Sequence, residues 1–157
     1  METHTIKPVY DINSRILILG SFPSVKSRET NFFYGHPQNR FWRVVSAVMN
    51  EECPGSTDEK KQFLLRNNIA VWDVIHSCDI EGSSDSSIKN VTPNDLNTIL
   101  DRTEIRQIFT NGNTAYKLFC KYNDGKTAVK LPSTSPANAA FSIDRLIESW
   151  SIIKNFT

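Results

Sequence analysis

The sequence predicts an α/β protein, a three-layer α/β/α sandwich around a central four-stranded parallel sheet, and three observations carry that prediction. Four short runs are almost wholly apolar or β-branched, the pattern of strands buried on both faces. Stretches with helical spacing separate them, so strands and helices take turns along the chain, as they do in a parallel sheet covered on both sides. Each apolar run ends in residues that favour turns. The chain of 157 residues shows no internal repeat and no long linker, so one domain over residues 1–157 is expected.

The first strand is Arg15–Gly20 (RILILG), stopped by Gly20, which gives backbone freedom, and by Pro23. The polar stretch Ser21–Gln38 reads as a loop. Asn39 stands as the N-cap of a helix over Phe41–Met49. Ser56–Asn67 is a helix opened by a capping box, Ser56 with Glu59. Ile69–Val74 (IAVWDV) is the second strand, and the polar segment through Asn90 reads as its loop. Thr92 and Pro93 have the chemistry of a cap and a first helical residue, which predicts a helix running to about Arg102. Ile105–Thr110 (IRQIFT) and Thr127–Leu131 (TAVKL) are the third and fourth strands, with a helix over Asn113–Tyr122 between them. In Ser142–Asn155, Ile143, Leu146, Ile147, Trp150 and Ile153 have the spacing of a helix packed on a sheet. Ligands of such sheets bind beyond the carboxyl ends of the strands. That rule selects Ser21–Gln38, Asp73–Asn90, Asn111–Thr114 and Pro132–Ala140 as the segments in which a site should lie.

Composition narrows the function classes. Eighteen basic against seventeen acidic residues give a net charge of +1, too little for a broad electrostatic nucleic-acid surface, so any DNA contact is local. No apolar run is long enough to span a membrane, and the polar segment Met1–Lys7 is not a signal core. Cys53, Cys78 and Cys120 lie far apart without a CxxC pair, which suits reduced cysteines in a cytoplasmic protein, nucleoid-associated if prokaryotic. His4, His36 and His76 have no metal-ligand spacing, so no metal and no cofactor are expected. With no coiled-coil pattern, a monomer is expected.

The loop after the first strand, Gly20–Ser24 (GSFPS), is neither GxGxxG, nor a P-loop, nor an esterase elbow. It leads into Asn31–Trp42 (NFFYGHPQNRFW). GSFPS followed at this spacing by YGHPQNRFW resembles the uracil-DNA glycosylase superfamily, most closely its hypoxanthine-DNA (deoxyinosine) glycosylase branch. Mismatch-specific uracil glycosylases share an HPxNRFW-like run. Trp72–Asn90 (WDVIHSCDIEGSSDSSIKN) looks like the same deoxyinosine branch. Leu131–Ala139 (LPSTSPANA) sits where the superfamily places its final active-site loop. The resemblance runs from about Arg15 to the C-terminal helix.

It implies a DNA repair enzyme that rotates a deaminated base out of the duplex, at a cost of a few kcal/mol, and hydrolyses its N-glycosidic bond. The transition state, a cationic sugar with an anionic leaving base, needs positioning and electrostatics more than a covalent nucleophile. Asn39 is then the catalytic residue, its amide aligning a water on the sugar by accepting from it and donating to it; the competing use is the helix cap. Tyr34 falls where mismatch-specific relatives stack an aromatic ring on the flipped base, with Phe32 and Phe33 as alternative platforms. Asp73 falls where uracil-specific relatives carry a base-reading asparagine, and it either accepts from the N1–H of hypoxanthine or caps the segment after it. Asn111 touches base or sugar, or shapes an Asn-Gly turn.

Two positions depart from the uracil enzymes: Phe22 replaces a water-activating Asp or Asn, and Ser133 replaces a histidine that serves the leaving base. Phe22 is counted with the base pocket. Ala137 and Asn138 are small where a bulky wedge is usual, so extrusion should depend on an already weakened pair. Ser24, Arg40, Ser133, Ser135, Pro136, Ala137 and Asn138 are the expected DNA contacts, through hydroxyls, main-chain amides and one guanidinium. Lys26, Arg28 and Arg43 either add phosphate contacts or form a solvated face. No motif singles out a lysine for Schiff-base chemistry, so the enzyme should leave an intact abasic site. Three alternatives stand beside this reading: uracil, xanthine or a mismatched pyrimidine as substrate, a DNA-binding module without turnover, and a generic nucleotide-binding protein.

Overall fold

The computed structural model describes residues 1–157. In chain order the strands are β1 (Glu2–Thr3), β2 (Ile16–Gly20), β3 (Ile69–Asp73), β4 (Ile75–Asp79), β5 (Lys89–Pro93), β6 (Gln107–Asn111) and β7 (Val129–Leu131). The helices are α1 (Val25–Thr30), α2 (Phe41–Val48), α3 (Thr57–Arg66), α4 (Asn97–Leu100), α5 (Asn113–Tyr122) and α6 (Ile143–Trp150).

The four apolar runs form one four-stranded sheet in the order β3-β2-β6-β7, every pairing parallel. Ile16, Leu17, Ile18 and Leu19 of β2 are fully buried because the strand has a neighbour on each edge and helices over each face. In α2, Phe41, Trp42, Val44, Val45 and Val48 are buried in the same core as Leu146 and Trp150 of α6. Trp150 keeps its polar end satisfied by donating Nε1–H to Pro132 O at 2.9 Å, which ties α6 to the segment after β7.

Several local expectations need correction. The stretch Ser21–Gln38 is not all loop: it holds α1, whose N-cap Ser24 accepts from Ser27 N. The helix expected from Thr92 is absent there. Thr92 and Pro93 end β5, which pairs antiparallel with β4, and β4 pairs with β1, making a second three-stranded sheet. Pro93 is tolerated because β5 is an edge strand that owes no further ladder bond. Helix appears only at α4, after Asn94 has turned the chain by donating Nδ2–H to Asp73 O and Ile75 O. At α2 the cap position is Arg40, not Asn39, and no side chain caps it there. Ser56 does cap α3, but Glu59 reaches back to Gly55 N, one residue earlier than a capping box requires. The last helix ends at Trp150 and continues as a 3-10 turn over Ser151–Asn155.

The chain runs outward from β2 to β3 on one side and from β6 to β7 on the other. The carboxyl ends of β2 and β6 therefore flank the point where strand order reverses, where a crevice opens in sheets of this kind.

Candidate active site

A cavity of about 330 Å³ occupies that crevice. Each parallel strand contributes to it from its carboxyl end: Gly20 to Ser24 after β2, Asp73 at the end of β3, Asn111 at the end of β6, and Ser133 to Ala137 after β7. The segment before α2 adds Phe33, Tyr34, His36 and Asn39, and the hairpin between β4 and β5 adds Ser83 and Asp85. Ten of the twelve expected site residues line it: Phe22, Ser24, Tyr34, Asn39, Asp73, Asn111, Ser133, Ser135, Pro136 and Ala137. Arg40 and Asn138 do not.

Asn39 is held at one end of its amide. Its Oδ1 accepts from Phe41 N and from Thr134 Oγ1, both at 2.9 Å. The cap-like bond and the place in the cavity are therefore both real and use different parts of one side chain. Thr134, fully buried, also receives Asn111 Nδ2–H at 2.9 Å and gives its own N–H to Asn111 Oδ1 at 3.0 Å. The chain Asn111–Thr134–Asn39 joins the ends of β6 and β7 to the start of α2. Because a carbonyl oxygen has two acceptor sites and both are taken, Asn39 has only its Nδ2 hydrogens left to offer. The expectation that its amide both accepts from and donates to one water is corrected accordingly. Both ends of the Asn111 amide are thus spent on Thr134, and Gly112 follows at φ +95 as the chain enters α5.

Asp73 lies on the floor. It is only 4% exposed, and its Oδ2 has no hydrogen-bond partner. Burial, with the Asp85 carboxyl adding to it, pushes its pKa up to about 7. Gly20 stands beside it on β2: a β-carbon there would lie 2.5 Å from Asp73 Oδ1 and 3.2 Å from Tyr34 Oη. The glycine is needed for space, not for the backbone freedom inferred from the sequence. Tyr34 adopts the left-handed conformation at φ +51, uncommon for a bulky residue. Its ring stacks on Phe41 with centroids 4.0 Å apart and planes 12° from parallel. Its hydroxyl is buried without a partner, and burial together with the nearby Asp73 carboxyl raises its pKa.

Besides Thr134, two residues around this cavity, one beneath the floor and one at the rim, are not marked as site residues by the sequence. His4, brought in just after β1, donates Nε2–H to Ile75 O at 2.8 Å, and that nitrogen is 4.0 Å from Asp73 Oδ2. Its ring meets Phe22 edge-on at 5.3 Å, and burial lowers its pKa, which favours the neutral ring. Asp85 stands at the rim, where Ser21 Oγ donates to its Oδ1 at 3.0 Å. Asp85 falls within Asp73–Asn90, a segment that the strand-end rule selects without singling the residue out; nothing in the sequence points to His4.

The final loop is braced from within. Arg40 donates to the main-chain carbonyls of Thr134, Ser135, Asn138 and Phe141, which occupies most of its guanidinium. Asn138 Nδ2 donates to Ser133 O, Ser133 Oγ accepts from Ser135 N, and Ser135 Oγ accepts from Ala137 N. Ser24 Oγ is engaged with Ser27 at the start of α1. These side chains shape the backbone that a nucleic acid would meet.

Known proteins are similar to this chain in sequence and in fold. The model of the uracil DNA glycosylase superfamily matches residues 7–154. A hypoxanthine DNA glycosylase of Methanosarcina acetivorans is 38% identical over 92% of this chain and 93% of its own. Another hypoxanthine DNA glycosylase, of Methanosarcina barkeri, is 33% identical over 71% of this chain and 72% of its own. A solution NMR structure from Methanosarcina acetivorans, described as a candidate uracil DNA glycosylase, superposes with a TM-score of 0.82 at 35% identity, covering 98% of this chain and 97% of that one.

Proposed function

The chain belongs to the uracil DNA glycosylase superfamily, and from that membership we propose that it hydrolyses the N-glycosidic bond of deaminated bases in DNA, chiefly hypoxanthine, and leaves an abasic site. The observation that carries the reading is Asn39: its carbonyl is fixed by Thr134 and Phe41 while its Nδ2 remains unclaimed at a cavity large enough for a base. The deoxyinosine, rotated out of the stack, lays its base beside Tyr34 and Phe22, with its edge toward Asp73. Asn39 Nδ2 holds the oxygen of the attacking water. It orients that water without deprotonating it, which suits a reaction whose sugar becomes electrophilic by itself. The C1′–N bond breaks with its electron pair on the base, water oxygen bonds to C1′, and the base leaves with a proton.

The relatives named hypoxanthine DNA glycosylases support the substrate, and their similarity covers most of the chain. The even charge balance and the few large apolar side chains that are exposed, Met1, Ile12 and Val25, support a monomer that meets DNA through the loops around the cavity. Three free cysteines fit a reducing compartment such as the cytoplasm.

Labelled duplexes carrying one deoxyinosine or one uracil, incubated with the protein and then treated with hot alkali, test the proposal. Cleavage at deoxyinosine that Asn39→Ala removes is expected. Cleavage confined to uracil would overturn the substrate, and cleavage of neither would favour a DNA-binding module.

A further inference from the structure

The cavity is lined by two carboxyls and by no lysine or arginine. The two are held in different ways. Asp73 lies on the floor, buried and without a partner for Oδ2, surroundings that favour its protonated form. Asp85 stands at the rim on a 3-10 turn over Asp85–Ser87, its residue open to solvent on one side, with Ser21 donating to its Oδ1. A carboxyl that accepts from a hydroxyl and reaches solvent retains its charge more readily than one in a dry floor. Two carboxyls in one site whose surroundings separate their protonation states take different tasks.

Rupture of a glycosidic bond to a base builds positive charge at C1′ and the ring oxygen of the sugar. Residues that would hold an extruded base lie deep, at Asp73, Tyr34 and Phe22, so the attached sugar lies nearer the rim. We propose that Asp85 is the anion that faces this sugar and stabilises its positive charge as the bond to the base breaks. The inference rests on the glycosylase reading and assigns that reaction a residue from a hairpin outside the parallel sheet. Ser21, one residue past the end of β2, fixes the height of the Asp85 carboxyl over the cavity. The protein packed around the Asp85 carboxyl raises its pKa, the larger influence, while the hydroxyls of Ser21 and Thr114 beside it act against that rise, in favour of the charge.

The test separates charge from tethering. In Asp85→Asn the amide oxygen still accepts from Ser21, so only the charge is lost. Single-turnover release of hypoxanthine should then slow by roughly 10²-fold, as when one preorganised electrostatic contact is removed, with duplex affinity unchanged within about threefold. Asp85→Glu should recover part of the rate. A second measurement needs no turnover: the affinity for a duplex holding a protonated pyrrolidine in place of the sugar, relative to one holding neutral tetrahydrofuran. The parent should prefer the cation, and Asp85→Asn should reduce that preference about tenfold. Ser21→Ala, which cuts the tether and keeps the charge, should retain most of it. An Asp85→Asn protein that cleaves at the parental rate, or keeps the parental preference for the cation, would overturn the proposal. If the parent cleaves no damaged duplex, the glycosylase reading fails separately, and the pyrrolidine preference still decides whether Asp85 faces the sugar.

Discussion

Gly20 and Asp73 stand opposite each other on adjacent parallel strands, so close that Asp73 Oδ1 occupies the space where any β-carbon on residue 20 would begin. The carboxyl at the floor of the cavity is thus positioned by the absence of a side chain next door. Gly20→Ala should displace Asp73 and Tyr34 together, destabilise the protein by about 1–3 kcal/mol as overpacking does, and lower hypoxanthine release more than tenfold. Thermal unfolding and single-turnover cleavage measure the two effects. An alanine protein with parental activity would show that the position of Asp73 is not critical.

Asp73 also makes stability depend on pH. Its pKa is about 7 in the folded protein against an ordinary 3.8, so between those values the folded state holds a proton that the unfolded chain has released. Stability from this source is fully present below pH 3.8 and is lost as pH rises through about 7. Asp73→Asn carries no such titration. The difference in unfolding free energy between the two proteins should therefore shift in favour of Asp73→Asn as pH goes from 5 to 8, by an amount on the order of 1–3 kcal/mol. Urea melts at several pH values check it, and a difference that does not move with pH would show that Asp73 is ionised throughout.

Two substitutions at Asn39 divide its roles. Asn39→Asp keeps an oxygen for Phe41 N and Thr134 Oγ1 but has no Nδ2 hydrogens, so it should fold with near-parental stability and lose roughly 10²-fold in rate. Asn39→Ala loses both and should add a stability cost of about 1 kcal/mol. Equal activity of Asn39→Asp and the parent would reduce the residue to a structural acceptor.

Arg40 is assigned to the protein rather than to phosphate. Arg40→Ala should loosen the loop from Thr134 to Phe141, lower the melting temperature and weaken cleavage. The salt dependence of duplex binding should nevertheless keep its slope, because a lost phosphate contact would reduce that slope by about 0.9. A slope that falls by that amount would restore Arg40 to the DNA interface.

The parallel sheet was legible because its strands are buried on both faces and therefore apolar throughout, as Ile16–Leu19 and Ile69–Trp72 are. The second sheet was not. In β4, His76 is exposed between buried Ile75 and Ser77, and β5 is largely exposed, so neither shows a continuous apolar run. Thr92-Pro93 carried the chemistry of a helix start and sits in an edge strand instead. The same asymmetry governs the site. Gly20, Asp73 and Asn111 could be read from strand ends, whereas His4 and Asp85 arrive through the second sheet, whose pairing brings together residues far apart in sequence. Nothing in the sequence marks Thr134, because its hydroxyl matters only through Asn39 and Asn111, a relation that no spacing reveals.

Arg40 follows Asn39 directly in the chain and grips the carbonyls of the final loop, so the residue assigned to the water and the backbone assigned to the strand share one rigid frame. A frame already set before DNA arrives has little conformational entropy to lose on docking, and that share of the affinity is the same for every duplex. What differs from one lesion to the next is the work of opening the target pair. Release of hypoxanthine should accordingly be faster opposite thymine than opposite cytosine, in proportion to the weaker pairing, and single-turnover rates on otherwise identical duplexes would reveal it. Equal rates would mean that selection takes place inside the pocket; unequal ones would mean that the helix, by how readily it lets a base go, does much of the choosing.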